Sequence, residues 1–301
     1  MHSSKTPGLA RGFSFGVSAY FLWGSFPLII TMLSFASPWE VLVWRMVFGF
    51  FVAALLTTFT KSWPEIRSVV TQPKLLGWVV LATVFIFINW TVYVIAVAEH
   101  HTIETALGYF INPLVTIVLA VLFLGEKLTR PQWLAVAVGL AAVLVLTFDY
   151  GRPPFIAIIL AFSFATYGFA KNKLGGKVTA INSFALESGL LLPVALTIGV
   201  AVFNIQGLQF GSIGFWGTLG LMFFGLMTAV PLIFFGEAAK LLPLSYIGFI
   251  QYVTPVMQFL IALLILREPM PPARWIGFVL VWISLIILSS DALRRGQKRA
   301  A

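Results

Sequence analysis

Long runs of apolar residues, separated by short polar or Pro/Gly-rich segments, dominate the chain. A membrane-spanning helix requires about 20 mainly apolar residues. The runs predict ten spans, at residues 12–33, 38–59, 75–97, 102–124, 131–148, 154–170, 180–202, 213–237, 243–266 and 272–290. Apolar and polar residues do not alternate along runs such as 134–146 and 275–288, which favours helices over the strands of a membrane β-barrel. The predicted fold class is therefore an all-α membrane protein.

Composition supports this class and excludes others. The chain has 301 residues, of which 60% are hydrophobic and 10% charged, against roughly 25% charged residues in a typical soluble domain. So little charge is inconsistent with a soluble enzyme or a disordered protein. The net charge of +9 would suggest nucleic acid as the partner of a soluble protein, but in a membrane protein basic residues are expected in the cytoplasmic loops. The absence of cysteine excludes disulfides and thiolate metal sites.

The distribution of basic residues predicts the orientation of the chain. With the N-terminus in the cytoplasm, 15 of the 19 Lys and Arg residues fall in segments on the cytoplasmic side. Arg152, Arg267 and Arg274 fall in outer loops, and Arg45 lies within a span, which accounts for the other four. This bias predicts a protein of the inner or plasma membrane with both termini cytoplasmic. The first run is interpreted as a retained span, because about 20 residues exceed the apolar core of a signal peptide.

An internal repeat relates the two halves of the chain. A shift of 142 residues, the difference between 109 and 251, aligns 109–113 with 251–255 and brings Trp133 onto Trp275. The predicted repeats are residues 12–148 and 154–290, with cytoplasmic tails at 1–11 and 291–301. Because five spans is an odd number, the second repeat enters the membrane from the opposite side. Inverted five-helix repeats are a recurring plan of secondary transporters, and duplication in a non-transporting membrane protein is the alternative.

Residues 100–114, with the sequence HHTIETALGYFINPL, and residues 124–126 resemble the drug/metabolite transporter superfamily. Within it they resemble the EamA-type, RarD-like subgroup, which is linked by name to chloramphenicol sensitivity. Further matches are Glu40 with Arg45, Asn89-Trp90 and residues 247–252. The resemblance covers nearly the whole chain and implies a ten-helix permease of small organic solutes, without supplying a substrate. Arg267 stands where the first repeat has Gly125, so we expect that loop to pack differently.

Arg45 lies inside the second predicted span, and its equivalent in the second repeat is Glu187, 142 residues later. An arginine at membrane depth costs from about 3 to over 10 kcal/mol unless it is paired or reaches the surface. One interpretation is a substrate or proton site at the repeat interface, where Arg45 binds an anionic group. The alternatives are an ion pair with Glu187 that holds the halves together, and an arginine that snorkels to the external surface.

Asn89 and Trp90 lie in the middle of the third predicted span. A buried amide requires hydrogen-bond partners in lipid, and a tryptophan at this depth lies away from the usual interfacial belt. The two residues are candidates for a pocket wall that orients a polar ligand. Contact between neighbouring helices is an equally good explanation.

Two proline-containing segments in the fourth and ninth spans are repeat partners. Proline removes a backbone donor and frees a carbonyl, and paired interrupted helices are a sequence pointer to a transporter site. The candidate pathway residues in these segments are Tyr109, Asn112, Gln251 and Tyr252. The predicted kink or hinge points are Pro113, Pro231 and Pro255, with the third, fourth, eighth and ninth spans lining the cavity. An ordinary proline kink is the alternative.

His100, His101 and Glu104 lie before and at the start of the fourth span. Histidine titrates near physiological pH, so these residues and Glu187 are candidates for proton coupling, although an external polar cap is the favoured interpretation. Their spacing matches no strong metal motif, and no metal site is expected. Glu126 and Glu268 fall in turns at the ends of helices, where a structural charge is favoured.

The sequence therefore predicts a secondary transporter that moves a small organic metabolite or drug by alternating access. The expected partners are a small-molecule solute, the lipid bilayer and, as a further hypothesis, protons; a homodimer is left open. No nucleotide-binding loop and no catalytic constellation is recognised, so neither enzymatic activity nor a cofactor is expected. The alternatives are a lipid-carrier flippase and a non-transporting membrane scaffold or sensor subunit.

Overall fold

A computed structural model of the protein describes residues 6–125, 127–174, 177–242 and 250–300. The helices, numbered along the chain, are α1 (Thr6–Gly24), α2 (Phe26–Met32), α3 (Pro38–Phe59), α4 (Trp63–Val70), α5 (Pro73–Ala98), α6 (Thr102–Leu124), α7 (Arg130–Tyr150), α8 (Phe155–Leu174), α9 (Ala180–Gln206), α10 (Phe215–Leu241), α11 (Val253–Leu260) and α12 (Pro272–Ala300). A π-helical turn, Ile261–Ile265, directly continues α11. These described ranges contain no strand, which confirms the all-α prediction.

Nine helical segments in the described ranges are long and apolar enough to cross a membrane. They correspond to nine of the ten predicted spans, with α1 and α2 together forming the first. The ninth predicted span, 243–266, lies partly outside the described residues, and its described part is the shorter apolar helix Val253–Ile265. With that segment included, each half of the chain contributes five spans.

Where the helices differ from the predicted spans, a local cause is visible. The first span is divided at Ser25, whose hydroxyl donates to the Leu22 carbonyl at 2.7 Å, and a proline follows in the first turn of α2. Helix α4 was not predicted because most of its side chains are exposed and give no apolar run. Its signal is local, a proline and Glu65 in the first turn, where both are favoured.

The two repeats share a turn that the sequence did not lead us to expect. Gly125 ends α6 with φ 66°, and its repeat equivalent Arg267 has φ 54° after the π-helical turn. The backbone is therefore left-handed at both positions, although this conformation is unfavourable for a residue other than glycine. The expected difference between the loops is not found at this position, and the following Glu126 lies outside the described residues.

The most extensive helix contacts join spans from different halves. Helix α1 packs on α10, and the repeat equivalents of these helices, α8 and α5, also pack together. The pairs α3 with α9, α7 with α12, and α6 with α11 each join repeat-equivalent spans. Exchanging the two halves therefore maps this set of contacts onto itself, as expected for inverted repeats that meet around a shared centre.

The loops divide between two faces of the helix bundle. Ten alternating crossings bring the chain back to the face on which it started, so residues 6 and 300 lie on one face. Segments 33–37, 99–101, 151–154, 207–214 and 266–271 lie on the other, which we call the far face. On this face Arg274 at the start of α12 forms an ion pair with Asp149 at the end of α7, with Nε 3.1 Å from Oδ2.

Candidate functional site

Arg45 is buried among aromatic rings. It is the eighth residue of α3, about 10 Å along the helix from its start at the far face, and only 4% of its surface is exposed. The guanidinium carbon lies 4.2 Å from the ring centroid of Trp90 and 5.2 Å from those of Phe26 and Phe224. We call these four residues the arginine cage. Cation–π contacts stabilise the guanidinium, but they leave its positive charge in place.

The arginine cage leaves part of the guanidinium without a polar partner. Nε donates to Thr228 Oγ1 at 3.1 Å, whereas the buried Nη1 has no hydrogen-bond partner among the described residues. Within the same ranges, no carboxylate forms an ion pair with Arg45. The side chain does not snorkel, because it is enclosed by rings contributed by α2, α5 and α10.

Glu187 is the eighth residue of α9 and therefore lies near the face opposite the far face. Lys171 Nζ lies 2.7 Å from one carboxylate oxygen. The hydroxyls of Ser183 and Tyr167 donate to the carboxylate at 2.7 and 3.2 Å. We call these four residues the glutamate cluster. The ion pair between Glu187 and Arg45 that the sequence left open is absent, because Glu187 pairs with Lys171.

The position of Lys171 also corrects a boundary. Hydropathy ends the sixth span at residue 170 and assigns Lys171 to a cytoplasmic segment. In the structure α8 continues to Leu174, so the ammonium group reaches Glu187 from within the helix. The lysine stem crosses the apolar boundary while its charged end finds a partner, which is ordinary behaviour for this side chain.

Asn89 connects three helices of the two halves. It is 1% exposed, and its Nδ2 donates to Ser163 Oγ at 3.1 Å and to the Leu160 carbonyl at 3.2 Å on α8. Its Oδ1 accepts a hydrogen bond from the Tyr109 hydroxyl on α6 at 3.1 Å. These contacts favour the helix–helix explanation for Asn89, which also fixes the position of the Tyr109 ring.

A row of aromatic rings connects the two charged regions. Tyr93 lies one helical turn after Trp90 of the arginine cage, and Tyr167 belongs to the glutamate cluster. Successive ring centroids are 5.9, 5.8 and 6.0 Å apart along the series Tyr93, Tyr109, Phe164 and Tyr167. Such spacing is typical of interacting aromatic pairs. The row therefore forms a continuous apolar and polarisable surface between Arg45 and Glu187.

Gln258 on α11 was not singled out from the sequence. It is 2% exposed, and its Nε2 donates to the Tyr93 hydroxyl at 3.0 Å and, at 3.5 Å, to the Trp23 carbonyl. Its Oε1 is buried and has no partner among the described residues. The available signal was a single amide inside the apolar run 253–265, which has no polar counterpart in the first repeat.

The other predicted pathway residues lie on α6 and at the start of α11. The Asn112 Oδ1 is buried without a partner among the described residues. Gln251 and Tyr252 form the turn before α11, and Tyr252 packs against the apolar cluster that contains Phe259 and Phe278. The pathway role of these residues remains a prediction.

The predicted kink positions do not interrupt the helices. Pro113 lies inside α6, and Pro231 lies inside α10. Both helices continue through their prolines. Pro255 occupies the first turn of α11, where the missing backbone donor costs little. A hinge role for the three prolines remains a prediction.

Glu104 has structural partners on the far face. It is 1% exposed, accepts two hydrogen bonds from Arg152 at 3.0 and 3.3 Å, and accepts a third from the backbone N–H of Ile156 at 3.1 Å. His100 has φ 61°, and His101 precedes α6 without a side-chain cap. The arrangement favours the external polar cap over proton coupling for these three residues.

Two further buried carboxylates bind backbone N–H groups on the far face. Glu268 accepts from Thr102 and Ile103 at 2.7 and 2.8 Å, at the start of α6. Glu40 accepts from Gln209 and Phe210, with the shortest distance 2.9 Å. In both cases a carboxylate of one half binds the backbone of the other half. The structural role favoured for Glu268 is therefore confirmed.

Comparison with known proteins agrees with this architecture. The model of the EamA-like transporter family matches residues 10–148 and 153–290. Protein RarD of Streptomyces exfoliatus is 44% identical over 96% of this chain and 91% of its own length. Protein RarD of Escherichia coli strain K12 is 35% identical over 94% and 95% of the two chains, and the uncharacterized transporter YojE of Bacillus subtilis strain 168 is 34% identical over the same shares.

A solved crystal structure supports the fold independently. It superposes with a TM-score of 0.59 over 97% of this chain and 99% of the other, at 18% sequence identity. At this identity the likeness concerns the fold alone.

Two halves of apolar spans, with charged groups buried between them, define a multi-pass membrane transporter. The chain belongs to the EamA-like transporter family, in its RarD-like group.

Proposed function

We propose that the protein is a secondary transporter that moves a small organic anion across the cytoplasmic membrane, with Arg45 as the group that binds the anion. The observation that carries this proposal is the buried Nη1 of Arg45, which has no partner among the described residues. Buried charges are ordinarily paired, and ionisable residues inside membrane proteins are typical of substrate and ion pathways. An anionic group beside Nη1 would supply the missing partner.

The surroundings of Arg45 support a solute with a planar or apolar body. Trp90 belongs to the arginine cage, and Tyr93 and Tyr109 continue the aromatic row from it. Ligand sites commonly combine aromatic walls with a few polar groups that fix orientation. An aromatic or amphipathic monocarboxylate meets both requirements.

Alternating access is the proposed mechanism. The helix contacts are invariant to exchange of the halves, so two conformations related by that exchange would contain equivalent sets of contacts. Inverted repeats in other transporters open a central site alternately to the two sides of the membrane. The bias of basic residues supports cytoplasmic termini, which would make the far face external.

Uptake into proteoliposomes tests the proposal. We expect saturable uptake of labelled 3-phenylpropionate by the wild-type protein and its loss in Arg45→Met. Arg67→Met is the matched control, because Arg67 is exposed on α4. Equal uptake by wild type and Arg45→Met would overturn the assignment of Arg45.

Further arms separate the alternative functions. Movement of a lipid-linked substrate without uptake of soluble acids would favour a flippase. Partner binding without any transport would favour a scaffold or sensor. Proton coupling through Glu187 should be dropped if uptake is indifferent to an imposed pH gradient.

A further inference from the structure

Two buried atoms without partners lie on either side of Tyr93. One is the donor Nη1 of Arg45, and the other is the acceptor Oε1 of Gln258. Gln258 is bound directly to the Tyr93 hydroxyl, and the Arg45 guanidinium is close enough to interact electrostatically with the hydroxyls of Tyr93 and Tyr109. The two orphaned atoms therefore border the same group of aromatic rings, one from each half of the chain.

The orientation of the Gln258 amide is fixed by its neighbours. Nε2 faces the Trp23 carbonyl at 3.5 Å as well as the Tyr93 hydroxyl at 3.0 Å. A carbonyl oxygen can only accept, so the nitrogen must face Trp23 and the oxygen Oε1 must be the atom left without a partner. An amide oxygen in this state can accept a hydrogen bond but cannot donate one.

We infer that Gln258 is a specificity-determining residue of the transport site, and that it selects organic acids carrying a hydrogen-bond donor, a hydroxyl or an amine, next to the acid group. The acid group binds Arg45, the donor binds the Gln258 Oε1, and the body of the solute lies against the aromatic rings. This inference rests on the proposed function, because it assumes that Arg45 binds the anion.

The physical reason for selection is the cost of an unpaired buried acceptor. An acid without a donor would leave Oε1 as it is and would displace any water able to reach it. Sites built to bind a ligand hydroxyl or amine discriminate strongly against analogues that lack it, because buried polar groups then stay unpaired. The discrimination is expected to reach at least about tenfold in affinity, since a single hydrogen bond is the difference.

A matched pair of acids tests the inference in purified protein. The probes are 3-phenyllactate, which has a hydroxyl beside the carboxylate, and 3-phenylpropionate, which lacks it. We expect wild type to bind 3-phenyllactate at least about tenfold more tightly. In Gln258→Leu and in the closer isostere Gln258→Met, the ratio should fall to about one, while 3-phenylpropionate affinity stays within about threefold of wild type. Gln206→Leu, at an exposed amide on α9, is the control.

The outcomes are distinguishable. Binding of both acids with equal affinity by wild type overturns the selection by Gln258 and leaves the proposed function intact. A preference that survives in both Gln258 variants, or a loss of affinity for both acids together, also overturns it, because the latter indicates a merely structural role. Binding of neither acid by wild type contradicts the proposed function itself. Thermal unfolding midpoints of each variant show which one is folded, and either variant suffices.

Discussion

The arginine cage and the glutamate cluster occupy equivalent positions in the two repeats but solve the problem of a buried charge differently. Glu187 has a lysine, a serine and a tyrosine as direct polar partners. Arg45 has a single neutral hydrogen-bond partner, Thr228, and three rings. The first arrangement is internally complete, and the second lacks an anion.

This difference separates structural from functional roles. A complete ion pair with supporting hydrogen bonds stabilises a particular packing of α8 against α9, and removal of one partner strands the other. An incomplete site stabilises nothing by itself and gains its counter-charge only when a ligand is present. The comparison predicts opposite responses of stability and transport to substitution at the two positions.

The largest effect is expected for Arg45→Met. Loss of a buried charge contact to a ligand typically costs about 2–5 kcal/mol, so the affinity for 3-phenylpropionate should fall by about 30-fold or more. Folding stability should be unchanged or raised, because no charged protein group is stranded. Binding measurements and thermal unfolding in detergent check both parts. A marked loss of stability would make Arg45 a structural residue like Glu187.

Glu187→Gln should show the reverse pattern. Removal of one member of a fully buried pair costs about 3–5 kcal/mol, and here the cost should be lower, about 1–2 kcal/mol, because the Lys171 side chain is 27% exposed. Affinity for the anion should change less than threefold. The double variant with Lys171→Met should recover part of the stability, and a strictly additive loss would contradict the pairing.

A smaller effect is expected in the aromatic row between the two sites. Tyr109→Phe keeps the ring but leaves the buried Asn89 Oδ1 without its donor, at a cost of about 1 kcal/mol. Asn89→Leu removes the other partner. A double-mutant cycle measured by unfolding should give a loss smaller than the sum of the single losses, whereas independent effects would dissociate Tyr109 from Asn89.

The smallest effect is expected outside both sites, for His100→Asn. Asparagine tolerates positive φ better than most residues, and His100 is exposed with φ 61°. Stability should stay within about 0.5 kcal/mol of wild type, and the pH profile of uptake should not move. A shift of that profile would return His100 to the candidates for proton coupling.

The spans and the repeat were readable from the sequence because membrane depth requires long apolar runs and because Arg45 and Glu187 interrupt them conspicuously. The partners of these charges were not readable. Lys171 follows the apolar run and looks like a loop residue, yet its long stem reaches Glu187 from the last turn of α8. Packing of one half on the other decides such contacts, and spacing along one chain does not contain it.

Single polar residues without a repeat partner were the other failure. Gln258 and Thr228 stand alone in apolar runs, and neither has a motif around it. Their importance arises from burial beside Tyr93 and Arg45, which only the fold reveals. Asn89, by contrast, was found from its depth, although its contacts favour a positioning role.

The far-face carboxylates have a consequence for the evolution of the chain. Glu40 and Glu268 bind backbone N–H groups of residues 209, 210, 102 and 103, and every amino acid except proline supplies such a group. The side chains at those four positions are therefore free of this constraint, and covariation between aligned residues would carry no trace of the contact. Two glutamates can thus join the halves of the protein while their partners drift in sequence.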